Sequence, residues 1–257
     1  MPEFSSWQSY RIFAQSVKSR ARYVFEDQVD EFLKTVVATS EGRKRTFPAG
    51  RVLWRAQHGH DWVAIQQDEH EFEVPGPYSA ARMKPLPHSA REGRVNPKGI
   101  PCLYLATDKE TAMAEVRPWI GSYISVGQFK TLRDLVLVDC SVEHGRGFVF
   151  FLDEPEPAQR EKATWGDIDQ AFSEPVTSGD STADYAPTQI LAEAFRRHGY
   201  DGIAYKSVLG RGFNVALFNV NAADLINCFL FEAKKVSFEF SETGNPYFVK
   251  KYYENNE

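Results

Sequence analysis

Residues 93–118, GRVNPKGIPCLYLATDKETAMAEVRP, place a cation, an aromatic side chain and a carboxylate within one short segment. Arg94 stands in a turn rich in glycine, asparagine and proline, Tyr104 stands in the apolar run that follows, and Glu115 comes last. A cationic turn that leads into a strand and a short helix is a common way to present charge to a phosphate-bearing ligand. The segment therefore predicts a phosphate-binding site with a glutamate near it.

The predicted helix that carries Glu115 has sequence signals at both ends. Thr107 and Glu110 have the spacing of a capping box, in which the hydroxyl caps a helical N–H and the glutamate reaches back. Pro118 disfavours helical torsions at the residue before it, so the helix should end near residue 116 or 117. Taken without any relative, a glutamate at this position is most simply a solvated helix residue.

Two other predicted strands end in polar side chains that suit the same ligand. Residues 51–57 (RVLWRAQ) form a strand with Arg55 at or near its end, and arginines on rigid elements bind phosphates through paired hydrogen bonds. A second strand, 202–205, is followed by Ser207, and a glycine-rich turn then leads to Asn214. No histidine or aspartate spacing supports Ser207 as an activated nucleophile.

The long polar loop 58–90 holds two other clusters of charged side chains. His58, His60 and Asp61 are close enough to suggest a metal site, but no second cluster of ligands exists, so no metal is predicted. The second half of the loop is basic, with Arg82 and Lys84. Loops of this length in compact domains are usually functional lids or mobile segments.

Composition and charge exclude several classes of protein. The net charge of −5 disfavours a general electrostatic role on nucleic acid. No apolar run approaches the length of about 20 residues that spans a membrane. The three cysteines have no paired spacing and an odd count, which indicates reduced thiols and a cytoplasmic location.

Hydrophobic periodicity divides the chain into three parts. Residues 5–38 repeat apolar side chains at helical spacing, with a break near 25–28, which predicts a hairpin of two helices. A charged, Gly/Pro-punctuated link follows them. We therefore predict an N-terminal helical extension over residues 1–46, a main domain over 47–232 and C-terminal strands over 233–257. The helices could be a cap on the core, a docking surface for a partner or a dimer contact.

The main domain reads as a mixed α+β fold rather than a doubly wound sheet. Strands are predicted at 135–140, 215–218 and 228–231, and helices at 165–172 and from Thr188 to a glycine stop at 199. Further strands are predicted at 235–240 and 247–252. The strands lack the regular βαβ alternation and the glycine motifs of the common nucleotide-binding folds.

Five sequence blocks together resemble the RES domain family, which takes its name from an arginine, a glutamate and a serine. They are LWRA, GRVNPKGIPCLYLA, TAMAEVRP, GYDGIAYKS and FNVALFN, between about residues 50 and 231. The family is similar in fold to ADP-ribosyltransferases, so the resemblance implies a split, mostly antiparallel β core with flanking helices and an NAD-binding cleft. Its members are toxins of bacterial toxin–antitoxin pairs that cleave the nicotinamide–ribose bond of NAD+ by phosphorolysis or hydrolysis.

The resemblance assigns roles residue by residue. Arg55, Glu115 and Ser207 match the name-giving residues and are expected to be catalytic. Substrate-binding roles are expected for four other side chains, namely Arg94, Tyr104, Ser125 and Asn214. Ser125 is a rival or companion of Ser207, because it lies about one residue from the place of a second cleft serine. Relatives often carry a tyrosine after the first arginine, where this chain has Ala56.

The same resemblance implies NAD+ as the substrate, with inorganic phosphate as a second substrate if the reaction is phosphorolysis. A basic subsite near Glu115, from Arg82, Lys84 or Arg117, would favour phosphate over water. A cognate antitoxin is the expected protein partner, and a homodimer is a further option. Two other functions remain open: ADP-ribosyl transfer to a protein or small acceptor, and a module that binds NAD or a partner without turnover.

Overall fold

In the computed structural model, one mixed sheet of eight strands forms the centre of the molecule. The structure describes residues 2–67, 70–86, 89–148, 153–174, 182–242 and 244. The helices are α1 (Ser9–Ser19), α2 (Asp27–Ser40), α3 (Ala80–Met83), α4 (Lys109–Glu115), α5 (Pro157–Ser173) and α6 (Ala186–Arg197). The strands are β1 (Lys44–Phe47), β2 (Val52–His58), β3 (Asp61–Gln67), β4 (His70–Gly76), β5 (Leu103–Ala106), β6 (Tyr123–Thr131), β7 (Leu135–Asp139), β8 (Gly202–Lys206), β9 (Phe213–Leu217) and β10 (Ala223–Glu232).

The large sheet has the order β1-β7-β8-β9-β5-β2-β6-β10 and is split near its middle. Among the strands that the structure describes, β7 and β8 are the one pair that runs parallel. The joint between β5 and β2 consists of a single pair, Trp54 with Ala106, whereas β5 pairs with β9 at four positions and β2 with β6 at seven. The two halves therefore diverge beyond Trp54, and this divergence opens a cleft. The predicted α+β class with a split, mostly antiparallel core is confirmed.

Two apolar clusters hold this architecture together. The larger one joins the N-terminal helices to α5, α6 and the sheet, through side chains that include Phe13, Val36, Trp165, Phe195 and Ile203. A second cluster is built mainly from strand residues, among them Leu53, Leu105, Phe129, Val215 and Leu217. Both helices predicted within residues 5–38 are present, and their apolar faces are buried in the first cluster.

Several local predictions were wrong. The loop 58–90 contains a regular hairpin, β3–β4, and the short helix α3, because Val63 pairs with Val74 and Ile65 with Phe72 in an alternating pattern. Residues 235–240 are not a strand, although their apolar residues alternate, and no strand within the described residues pairs with them. Helix α6 begins at Ala186, before Thr188. The strand predicted at 247–252 lies outside the described residues.

No helix in the part of the chain that the structure describes is both long and apolar enough to cross a membrane. The division of the chain at residues 46 and 232 stays a prediction. The structure does show that β1, which starts at Lys44, pairs with β7 at the edge of the large sheet.

Candidate active site

Glu115 lies at the centre of a hydrogen-bonded cluster. It is the last residue of α4, and its Oε1 accepts hydrogen bonds from Ser207 Oγ at 2.6 Å and from Asn214 Nδ2 at 2.7 Å. Ser207 follows β8 and Asn214 lies on β9, and both residues are buried. Three of the residues predicted from the sequence, far apart in the chain, are therefore brought into direct contact.

A tight contact between α4 and the turn after β8 holds this cluster together. Ser207 Oγ accepts from the backbone N–H groups of Leu209 and Gly210, and these two hydrogen bonds fix the conformation of the turn relative to the serine side chain. Gly212 N donates to Thr111 Oγ1 at 3.0 Å in the first turn of α4. Gly212 has no room for a side chain, because a Cβ there would overlap Asp108 Oδ2. Glycine is thus needed for the turn to reach the helix.

The start of α4 differs from the predicted capping box. Asp108, not Thr107, is the N-cap, and its carboxylate accepts from Thr111 N at 2.8 Å. The Thr107 hydroxyl instead accepts from Phe213 N at 2.9 Å and so joins the helix start to β9. The helix ends at Glu115, close to the predicted position, and Arg117 adopts a left-handed backbone with φ of 48° before Pro118.

Arg55 enters the cleft where the sheet splits. Its Nη1 donates to the backbone carbonyl of Tyr104 at 3.0 Å, on the strand from which β2 diverges. The Nε atom is covered and has no hydrogen-bond partner among the described residues. Removal of the guanidinium from water lowers the pKa of Arg55 to about 10. Burial of a cation with an unpaired N–H lowers the stability of the folded protein when no ligand is bound. Such a group is well suited to bind an anion.

Tyr104 is held firmly beside Arg55. Its hydroxyl donates to Asn96 Oδ1 at 2.7 Å and accepts from Val95 N at 3.0 Å. Burial raises the pKa of Tyr104 well above its usual value, so the phenol stays neutral. Because the hydroxyl is already committed to this loop, the ring and not the oxygen is the part that a ligand can contact.

Two cavities meet at Arg55 and Tyr104. The smaller, of about 250 Å³, is also lined by Glu115, Asn214 and Tyr205. The larger, of about 870 Å³, extends away from Glu115 and is lined by three further cations and one carboxylate, namely Arg82, Lys84, Arg91 and Glu92. The smaller cavity thus holds Glu115, the larger one holds most of the cations, and Arg55 lines both.

Two predicted residues lie outside this cluster. Arg94 donates from Nη1 to the carbonyl of Ala171 at 2.8 Å, near the C-terminus of α5, and lines a different cavity beside α1. Ser125 is fully buried, where it donates to the carbonyl of Gly59 at 2.8 Å and accepts from Tyr78 N at 3.0 Å. Both side chains are engaged with the backbone, and neither lines the two cavities that meet at Arg55.

The histidines considered for a metal site do not converge. The His58 ring contacts the carbonyl of Val116, and the His60 ring lies edge-on to Trp62 and Tyr123. Asp61 accepts from the backbone N–H of Ser79 at 3.3 Å. Within the described residues, no group of three or more potential ligands is close enough to hold a metal ion.

Two residues that contact or line the site, Thr111 and Tyr205, were not predicted from the sequence. Thr111 carries the contact from α4 to the turn after β8, and Tyr205 lines the small cavity next to Asn214. Tyr205 could have been found from the strand period, because it stands directly opposite Asn214 across β8 and β9. The role of Thr111 depends on a contact across about a hundred positions in sequence and has no local signal.

The arrangement suits a ligand with an anionic group and an electron-poor centre a short distance away. Arg55 lines both cavities and offers positive charge to the anion, and the Tyr104 ring offers an apolar face. Glu115, fixed by two donors, offers negative charge at a defined point. The Ser207 hydroxyl donates to the Glu115 carboxylate, and no histidine in the described part of the chain hydrogen-bonds to it, so the site lacks the serine–histidine pair of an activated nucleophile.

Comparison with known proteins identifies the family. Among solved structures, a chain of the M. tuberculosis MbcT–MbcA toxin–antitoxin complex is similar at 15% identity, over 77% of this chain and 92% of its own, with a TM-score of 0.39. Comparison with curated proteins gives no match. The sequence model of the RES domain matches residues 52–240, most of the chain and all of the cluster described above. The chain therefore belongs to the RES domain family.

Proposed function

We propose that this protein cleaves the bond between nicotinamide and ribose in NAD+. The observation that carries the proposal is the Glu115 carboxylate, which Ser207 and Asn214 hold by hydrogen bonds in a cavity shared with Arg55. The arginine, glutamate and serine of this site are the residue types that give the RES family its name, and members of that family resemble NAD+-degrading enzymes. A binding module would not need a carboxylate fixed in this way.

The chemistry follows from the charges on the substrate. When the bond between the pyridinium nitrogen and the ribose C1″ breaks, its electron pair stays on nicotinamide, which leaves as a neutral molecule. Positive charge therefore builds on the ribose, and a carboxylate beside it stabilises that transition state. Ser207 and Asn214 both donate to Oε1 of Glu115, so we propose that the other carboxylate oxygen, Oε2, faces the ribose.

A nucleophile then completes the reaction at C1″. Attack by water gives ADP-ribose and releases a proton, and attack by inorganic phosphate gives ADP-ribose-1″-phosphate. Phosphate is the acceptor that we favour, because cations outnumber carboxylates in the cavity that adjoins the site at Arg55: Arg82 and Arg91 line it with one carboxylate, Glu92, whereas Lys84 there pairs with Asp224. These side chains lie on the Arg55 side of the cleft, so they would also attract the ADP half of the dinucleotide.

Arg55 is the group best placed for the pyrophosphate. Arg55 lines both cavities, and its guanidinium would gain charge-assisted hydrogen bonds on binding, which offsets the cost of its burial. The nicotinamide ring would then lie in the smaller cavity against Tyr104. By this account the biological role is that of a toxin that depletes NAD+ in the cytoplasm and is restrained by a cognate antitoxin.

Product analysis tests this proposal. Purified protein is incubated with NAD+, with and without inorganic phosphate, and the products are separated by chromatography and identified by mass. We expect release of nicotinamide, and ADP-ribose-1″-phosphate when phosphate is present. ADP-ribose as the product in both conditions would establish hydrolysis instead. Label from NAD+ that ends on macromolecules would indicate ADP-ribosyl transfer, and binding of NAD+ without any product would contradict an enzymatic role.

A further inference from the structure

His58 contacts the end of the helix that carries Glu115. It is the last residue of β2, and its Nε2 lies at hydrogen-bond distance from the backbone carbonyl of Val116. The imidazole ring is stacked on Trp119, with ring centroids 4.8 Å apart and planes 21° from parallel. Its other nitrogen, Nδ1, is covered and has no hydrogen-bond partner among the described residues.

The carbonyl that His58 contacts belongs to a helix end that needs support. Helix α4 has only seven residues, and short helices are marginal without outside contacts. The last carbonyls of any helix lack partners within the helix, and Val116 is the C-cap of α4. Arg117, in a left-handed conformation, and Pro118 then turn the chain away, so the helix cannot continue.

We propose that His58 is a positioning residue for Glu115. Its Nε2–H donates to the Val116 carbonyl, and its ring is fixed in place by Trp119. This contact joins the strand that carries Arg55 to the helix that carries Glu115, and Val116 itself lines the small cavity. Ser207 and Asn214 hold the carboxylate, and His58 holds the backbone next to it.

The assignment explains why a histidine is present and sets its tautomer. The proton must be on Nε2 for the ring to donate to a carbonyl, which leaves Nδ1 with a lone pair. Glutamine can place its side-chain N–H at a similar reach, whereas leucine fills the space without a donor. His60, two positions further along the chain, is a natural control, because its ring contacts Trp62 and Tyr123, which lie outside α4.

The first test measures the helix itself and needs no substrate. Hydrogen exchange of the full chain, followed by mass spectrometry, is compared for wild type, His58→Leu, His58→Gln and His60→Leu. We expect faster exchange in residues 112–117 for His58→Leu only, by about tenfold or more, because the last turn loses its external partner. Unchanged exchange there in a folded His58→Leu protein would overturn the proposal.

The second test measures nicotinamide release and rests on the proposed function. We expect kcat of His58→Leu to fall by about tenfold or more with little change in KM, because a small displacement of Glu115 affects the reacting centre more than binding. His58→Gln should recover most of the loss and His60→Leu should match wild type. A loss as large in His58→Gln as in His58→Leu would overturn the donor role. Absence of turnover in wild type would refute the proposed function, and the exchange experiment would still decide the role of His58.

Discussion

At the scale of single residues, the site combines a negative charge that is held by hydrogen bonds with a buried positive charge that lowers the stability of the fold. Glu115 has two donors on one oxygen, whereas the Nε of Arg55 has no partner within the described chain. A buried ion without a full set of hydrogen bonds reduces stability. Such a residue is therefore better explained by a ligand than by the fold.

Replacement of Arg55 tests this explanation. The folded-state pKa of about 10 lies below the ordinary value of 12.5, so at neutral pH the charged form is less favourable in the folded protein than in the unfolded chain. This cost is fully present below pH 10 and disappears as the pH rises toward 12.5. We expect Arg55→Met to raise the free energy of unfolding at pH 7 by about 1 kcal/mol or more, as judged by urea denaturation.

Arg55→Met should also lose affinity for NAD+. Addition of NAD+ should raise the melting temperature of wild type and leave that of Arg55→Met unchanged. Arg133→Met is the control, because Arg133 is more than half exposed and pairs with Asp201 away from the cleft. If Arg55→Met were destabilised and still bound NAD+, the guanidinium would be a structural group only.

At the scale of elements, the site depends on the contact between α4 and the turn after β8. Gly212 lies against Asp108 and Thr107, and Thr107 Oγ1 would be 2.7 Å from an added Cβ. We expect Gly212→Ala to disrupt the N-cap of α4 and lower the free energy of unfolding by about 1–3 kcal/mol. Nicotinamide release should fall with it, because Ser207 and Glu115 would move apart.

A matched control for this substitution is Gly42→Ala. Gly42 has nothing within 4 Å of an added Cβ, and its backbone is not left-handed. Thermal unfolding and turnover of the two alanine variants are compared with those of wild type. Equal stability and turnover for Gly212→Ala and Gly42→Ala would show that the close approach of this turn to α4 is unimportant.

The sequence predicted α4, its glutamate and the neighbouring strand because their signals are local. The apolar run, the break at Pro118 and the glycine-rich turn all lie within a few residues of the side chains they position. The surroundings of Arg94 and Ser125 could not be predicted in this way, because a residue's position in a turn or strand does not show which other element its side chain will contact. Arg94 is covered by α5, and Ser125 by the segment that contains Tyr78.

The hairpin β3–β4 shows a different limit. Its strands mix polar and apolar residues and form a separate two-stranded sheet, on which several large apolar side chains are exposed, such as Trp62 and Phe72. An alternating pattern that buries neither face against the main core gives a weak strand signal. The segment could therefore be recognised as long and polar, but its pairing could not be predicted from its residues.

At the scale of the whole molecule, the N-terminal helices share a core with the sheet. Phe13 stacks on Phe32 at 4.5 Å, and the cluster that contains them extends to Trp165 and Ile203. We expect Phe13→Ala to lower the free energy of unfolding by about 3–5 kcal/mol. Unfolding followed by fluorescence and by circular dichroism should give one shared transition.

Tyr23→Ala provides the control for Phe13→Ala. Tyr23 is 95% exposed, so its removal should change stability by less than about 0.5 kcal/mol. Two separate transitions in wild type, with only the first shifted by Phe13→Ala, would contradict a shared core and indicate that residues 1–46 fold as an independent unit.

The central claim is that Glu115 stabilises the charge that develops on the ribose of NAD+. The most direct measurement is the rate of nicotinamide release by Glu115→Gln, with NAD+ affinity measured by calorimetry on the same preparation. Glutamine keeps the shape of the side chain and removes its charge. Glu110→Gln, at an exposed position of the same helix, is the control. We predict that Glu115→Gln lowers the rate by about 10²–10³-fold with little loss of affinity, while Glu110→Gln matches wild type. An undiminished rate in a folded Glu115→Gln protein would contradict the account.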